Sequence, residues 1–138
     1  MVDHTEFIDD VVHEETQTTR QGLDLTVADV FDIVEPGALD FGGDEYEAAE
    51  VTPHCSEKRS PEDDYEWWVL EPGQYLIEYN ESLDTGDRFM IQPSAGLLES
   101  GAVHPSLTVK ELPRVPLTVG DAGLELKENA RVSTLIIR

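Results

Sequence analysis

From residue 66 onward the chain is cut into short runs of strand-forming residues by turn residues, which leaves little room for anything but β structure. Trp67 to Leu70 and Gln74 to Tyr79 flank Glu71-Pro72-Gly73, and Tyr75, Ile77 and Tyr79 share one face of the second run. Arg88 to Gln92 follows, with Phe89 and Ile91 on one side. Val115 to Val119, Leu124 to Lys127 and Arg131 to Ile137 come next, separated by Gly120-Asp121-Ala122-Gly123 and by Glu128-Asn129. Successive side chains of a strand point to opposite faces, so such alternation makes one buried and one open face. Several short strands at spacings of roughly 8–12 residues predict an all-β barrel or sandwich. One short helix is expected within Pro93 to Gly101, and no internal repeats interrupt the pattern.

Upstream the pattern changes. Residues 3–13 read as a short amphipathic N-terminal helix, with Asp3 as cap, Glu6 three residues later, and Phe7, Ile8, Val11 and Val12 on one side. Glu14 to Arg20 reads as polar linker, completing an N-terminal segment over residues 1–19. Leu23, Leu25 and Val27 alternate with Asp24 and Thr26, the period of a half-buried strand. Residues 42–64 are rich in acid, Gly and Pro without an apolar period and read as an acidic surface loop. A chain of 138 residues with 39% hydrophobic residues is enough for one core, so a single domain over 1–138 is expected rather than a disordered acidic chain.

Charge narrows the function. The chain carries 30 acidic and 9 basic residues, a formal charge of −21. Residues 1–66 hold 20 acids against Arg20, Lys58 and Arg59, a net of −17; residues 67–138 hold 10 acids against 6 bases, a net of −4. Nucleic-acid binding needs Lys and Arg to displace counterions, so a field this negative argues against it. The acid reads either as a halophilic surface, where at about 1 M salt the screening length is only about 3 Å, or as a face for a basic partner, including DNA mimicry. No apolar run approaches the roughly 18 residues of a membrane span, and Met1 is followed by Val-Asp-His-Thr-Glu rather than by a leader, so a cytoplasmic location is expected.

Motifs of chemistry are sparse. Cys55 is the one cysteine, so no intrachain disulfide and no CxxC site exist. His54-Cys55 lacks further ligands, and neighbours on a strand face opposite ways, so no metal site is expected. His4, His13 and His104 are isolated in the sequence, and Trp67-Trp68 reads as one core and one surface ring. There is no P-loop, nucleophile elbow, dinucleotide fingerprint or zinc-deaminase signature. The segment 93–101 draws attention because small residues and a helical turn offer backbone N–H groups and a hydroxyl to an anion, though an ordinary strand-to-helix corner would look the same.

Four stretches in order carry a family resemblance. Gln21-Gly22-Leu23-Asp24-Leu25-Thr26-Val27 is similar to an N-G-V-D-L-T strand. Leu70-Glu71-Pro72-Gly73-Gln74-Tyr75-Leu76-Ile77-Glu78-Tyr79-Asn80-Glu81 is similar to L-x-P-G-x-Y-x-V-x-Y-x-E. Gln92 to Gly101 falls where P-R-S-S-L-L-R-N-G is expected, and Ala130-Arg131-Val132 within Leu124 to Ile137 is similar to a closing G-A-R-I-A-Q-L segment. Over residues 20–137 the chain therefore resembles the dUTPase and dCTP deaminase family, in particular its archaeal dUTPase-like branch. That resemblance implies a distorted β-barrel, a homotrimer with active sites between subunits, and a deoxynucleotide ligand. It also implies hydrolysis of dUTP to dUMP and pyrophosphate or deamination of dCTP, with Mg²⁺ as cofactor only where triphosphate binding is retained. By motif position the nucleotide-binding candidates are Ser94, Ala95, Gly96, Gly101, His104 and Thr134.

The departures bear on activity. Pro93 is kept, but Ser94 stands at an Arg position, Ala95 and Gly96 replace two serines, and Glu99 replaces a second Arg. A like charge 4 Å from a phosphate costs about 4 kcal/mol at an effective dielectric of 20. After His104, Pro105 to Arg114 replaces a D-x-G-Y-x-G type segment, leaving Glu111 as its one carboxylate and the weak catalytic candidate. Thr134 stands for the closing Gln, and no glycine-rich tail follows. Three readings are open. The first is a catalytically impaired paralogue acting as a binding or regulatory trimer. The second is an active enzyme with relocated groups, Glu111 as base and Lys110 or Arg114 on phosphate. The third is an acidic DNA mimic using residues 40–66.

Overall fold

The computed structural model describes residues 7–137. In chain order the elements are β1 (Ile8–Asp9), α1 (Glu14–Gln17), β2 (Gly22–Glu35), β3 (Glu50–Pro53), β4 (Trp67–Leu70), β5 (Gly73–Tyr79) and β6 (Ser82–Leu83). They continue with β7 (Phe89–Pro93), α2 (Ala95–Glu99), β8 (Ala102–Val103), β9 (Leu107–Val109), β10 (Val115–Val119), β11 (Leu124–Lys127) and β12 (Arg131–Ile136). The main sheet has the order β8-β10-β5-β2-β12-β7-β9, with β3 paired to the far end of β2, and it curls as half of a barrel. Two small antiparallel pairs, β4 with β11 and β1 with β6, complete this all-β, distorted-barrel architecture.

β2 is the axis of the molecule. Leu23, Leu25 and Val27 are buried as the alternation requires, but the next fully covered aliphatic is Val30, on the opposite parity. The β2–β5 ladder shifts between Val27 and Asp29, and that extra residue turns Asp29 outward and Val30 inward. At the start of β2 only glycine fits. A Cβ on Gly22, whose φ is +155°, would lie 2.0 Å from the Leu135 carbonyl oxygen. Leu25, Ile77, Leu117 and Leu135 are completely covered, each contributing about 1.5–3 kcal/mol relative to exposure.

Most strand expectations after residue 66 match these elements, including the shared burial of Tyr75, Ile77 and Tyr79 and the split between buried Trp68 and half-buried Trp67. The expected helix over 3–13 does not form in its described part. Residues 8–9 pair with Leu83 and Ser82, and a helical turn comes later, at α1, inside the expected linker; residues 3–6 lie outside the described residues. His13 caps α1, accepting from Thr16 N–H, and Gln17 anchors it to the core. The 42–64 stretch is largely exposed, but it carries β3 and is tied down by the bridge of Glu57 to Trp67. β9 occupies part of the 105–114 segment. No helix among the described residues is long and apolar enough to cross a membrane.

Candidate functional site

The antiparallel register of β2 and β12 sets Asp24 directly opposite Thr134, and Thr134 Oγ1 donates to Asp24 Oδ1 at 3.1 Å. Arg131 leaves the start of β12 and reaches back. Its Nη1 donates to the Thr16 carbonyl at 3.1 Å and lies 3.4 Å from Asp24 Oδ2. On the other side of β12, β7 leads into Ser94, which caps α2 by accepting the Leu97 N–H at 3.1 Å and donates to the Arg131 carbonyl at 3.3 Å. The Ser94 N–H adds a bond to the Val132 carbonyl. These residues, with Thr19, Gln21, Ala95 and Gly96, line an open cleft of about 320 Å³.

The lining carries one cation and one anion, and they face each other. Asp24 is mostly covered whereas Arg131 is half exposed, so the pair adds at most about 1 kcal/mol to stability. Its larger effect is to occupy the one positive charge that the described residues bring to the cleft. α2 has only five residues and a weak dipole, so attraction for an anion here rests on Arg131, the hydroxyls of Ser94, Thr134 and Thr19, and the Gln21 amide. A divalent cation would find one carboxylate, Asp24, in the lining. This suits Mg²⁺ only when phosphate oxygens and water complete its octahedron. Among the described residues no group of three or more His, Cys, Asp or Glu side chains is placed to hold a metal.

Two buried polar networks hold the walls. Glu81, fully covered, accepts from Thr26 N–H at 2.8 Å, Thr26 Oγ1 at 2.6 Å and Gln17 Nε2 at 2.8 Å. The same Gln17 amide donates to the Asp24 carbonyl at 2.8 Å, and this joins α1 to the strand that bears the cleft acid. Behind β12, Ser133 Oγ sits 2.6 Å from Tyr79 Oη and 2.7 Å from His104 Nε2, while His104 Nδ1 faces the Pro105 carbonyl at 2.9 Å. With the proton assigned to Nδ1 by that carbonyl, Nε2 accepts from Ser133. Burial lowers the His104 pKa against the opposing carbonyls of Pro105 and Val132. It also pushes the Tyr79 phenol up to about 12, with the Ser133 hydrogen bond opposing and the nearby Glu81 adding to the rise. Ser133 is enclosed, and it ties β12 to Tyr79 of β5 and to His104, which follows β8.

Ser94, Ala95, Gly96 and Thr134 thus meet in one cleft. Gly101 and His104 do not line it. Gly101, with φ +90°, ends α2 in the left-handed region, and its carbonyl accepts the Gly120 N–H. Glu111 is exposed between β9 and β10, away from the lining. Arg114 is committed elsewhere, to Glu78 and over the Phe31 ring. Glu99 is exposed on α2 and also outside the lining. His54 bonds Asp32 and the Val69 carbonyl. Sequence reasoning did not single out Asp24, Arg131, Thr19 or Gln21. Three of these lie inside the stretches that carry the family resemblance, which was the available signal.

No family model matches the chain. Over 136 residues, 94% of this chain and 76% of the relative, it is 27% identical to a probable deoxyuridine 5'-triphosphate nucleotidohydrolase of Methanosarcina acetivorans. The similarity supports a dUTPase-like family. It spans the cleft as well as the β framework, because so little of the chain lies outside it.

Proposed function

We propose that the chain is a dUTPase-like protein of deoxynucleotide metabolism that binds a deoxynucleotide in the β2–β12–α2 cleft without efficient triphosphate hydrolysis. The observation that carries this reading is the neutral lining: among the described residues Arg131 is its one cation, and it is already paired with Asp24. A polyanionic triphosphate needs a surplus of positive charge as its transition state develops, and this lining supplies none beyond hydroxyls and amides. In this reading Ser94, Gly96 and Thr134 contact the ligand, while Gly101 and His104 hold the frame. The protein acts in the cytoplasm as a binding or regulatory homotrimer, where a neighbouring subunit adds to the open side of the cleft.

The test is calorimetric titration with non-hydrolysable dUTP and dCTP analogues in molar salt with Mg²⁺, paired with pyrophosphate release from the natural nucleotides. Binding with no enzyme-like turnover is expected. Turnover at an enzyme-like rate overturns the impairment, and absence of binding to either analogue overturns the nucleotide reading.

One observation favours a second reading, an active hydrolase. Asp24 sets a carboxylate in the cleft, held by Thr134, where a general base for water would be needed. Loss of pyrophosphate release in Asp24→Asn, with binding retained, would support it.

A further inference from the structure

The cleft does not end at Arg131. Gly96 and Arg131 also line a second, adjoining hollow of about 270 Å³, whose described lining comes from β4, α2, β11 and the start of β12. The two hollows differ in kind. The first offers hydroxyls, an amide and an ion pair, whereas the nearly covered Leu97, Leu126 and Val132 contribute to the second. Ligand sites combine an apolar surface with a few placed polar groups, and here the two parts lie side by side.

The second hollow also holds an aromatic ring and an uncommitted cation. Trp67 and Lys127 stand opposite each other on the β4–β11 ladder, with the Lys127 ammonium 5.7 Å from the indole centroid. That ammonium forms no ion pair or hydrogen bond among the described residues. Glu125, the one acid of the lining, is already paired with Arg59. Arg59 lies outside the lining, 3.5 Å over the same indole.

Gly96 is where the hollows meet. A Cβ there would touch nothing within 4 Å, and its φ is outside the left-handed region, so neither packing nor backbone conformation calls for glycine. In a helical turn glycine costs conformational entropy relative to alanine. What its bareness provides is an open passage from one hollow to the other.

We infer that the second hollow is the base subsite of the nucleotide cleft. The sugar and phosphates stay with Arg131, Ser94 and Thr134, while the pyrimidine ring crosses Gly96 onto Leu97, Leu126 and Val132. There it lies beside Trp67, and Lys127 donates to a ring carbonyl, which uracil and cytosine both carry. The reverse placement would desolvate a polyanion against three aliphatic side chains for one cation. This inference rests on the nucleotide reading and adds where the ring goes. It also spends the free cation on the ring, away from the phosphates.

The test is titration of the full chain with dUMP and with non-hydrolysable dUTP and dCTP analogues in molar salt with Mg²⁺. Binding is followed by calorimetry and by tryptophan fluorescence, and circular dichroism checks that each variant folds. Trp67 and Trp68 are the two tryptophans, so ligand quenching should appear in wild type and vanish in Trp67→Phe. Gly96→Leu, which closes the passage, should weaken analogue binding about tenfold or more. Lys127→Ala, at an exposed position, should cost about tenfold and by the same factor for dUMP as for the dUTP analogue, because both carry the ring. A loss confined to the triphosphate assigns Lys127 to phosphate and overturns the inference. So does analogue binding that leaves Trp67 fluorescence unchanged, or that either variant leaves at wild-type strength; in those cases the nucleotide reading survives. Absence of binding to wild type overturns both.

Discussion

The two ends of β2 carry similar apolar side chains and meet opposite fates. Near its start Leu23, Leu25 and Val27 are completely covered, with β12 paired to residues 22–26 and β5 taking over from Val27. Near its end Ile33 and Val34 are 40% and 49% exposed, and the chain runs on into the bare Leu39 and Phe41. The difference lies in what each end packs against. The first portion has β12 along one edge, Gln17, Asn80 and Glu81 bonded to Asp24 and Thr26 along the other, and a core beneath it, whereas residues 33–35 have only β3 beside them. The covered end also carries the cleft, because only a strand held on both edges keeps Asp24, Thr134 and Arg131 within hydrogen-bond reach of one another.

The largest expected effect challenges the claim that the covered end is held by its buried networks. Glu81→Ala strips the acceptor from Thr26 N–H, Thr26 Oγ1 and Gln17 Nε2 at once and should cost about 3–5 kcal/mol in urea unfolding. A loss below about 1 kcal/mol would show that water replaces the carboxylate easily and that α1 is only loosely tied.

The next sets the two ends side by side. Leu25→Ala should cost about 2–5 kcal/mol, whereas Phe41→Ala should change the stability of the dissociated chain by no more than about 0.5 kcal/mol. Comparable losses at both sites would mean that Phe41 folds back onto its own molecule.

Smaller still, Tyr79→Phe should cost about 1 kcal/mol at neutral pH by removing one partner of Ser133. The raised phenol pKa adds a sign that can be checked. Above pH 10 the unfolded chain loses this proton while the folded chain holds it up to about 12, so wild-type stability should fall with rising pH there. The Phe variant should show less of that fall.

The smallest effect concerns His104. Its folded pKa lies below the ordinary imidazole value of about 6.5, so on acidification the unfolded chain takes up the proton first. The contribution of His104 is full above about pH 6.5 and declines as pH drops through the window beneath it. His104→Gln, compared with wild type by thermal melts at stepped pH, should flatten that decline. An unchanged slope would assign the acid sensitivity to other groups.

Much of the framework was legible because the signals are local. Alternation in Gln74 to Tyr79 and the turn residues around Leu124 to Lys127 lie within one strand length, and both strands appear where expected. β1 was read as helix because Phe7, Ile8, Val11 and Val12 satisfy a helical period, while its actual partner, Leu83, is far along the chain and leaves no local trace. β3 is hidden by its acidic setting and its Pro53, and it exists because β2 offers an open edge. The site was half legible. Ser94, Ala95, Gly96 and Thr134 came from motif position, but the meeting of Asp24 with Arg131 joins residues 107 apart in sequence. It depends on the β2–β12 register, with its shift between Arg131 and Ser133.

By itself the sequence determined an all-β chain and a net charge of −21, since composition and period-2 patterning act residue by residue. Tertiary structure alone decided that Asp24 pairs with Arg131 in the cleft, that Glu99 stays outside its lining, and that the far end of β2 stays uncovered. Those are matters of strand pairing, and pairing partners are chosen by closure of the whole sheet rather than by any segment within it.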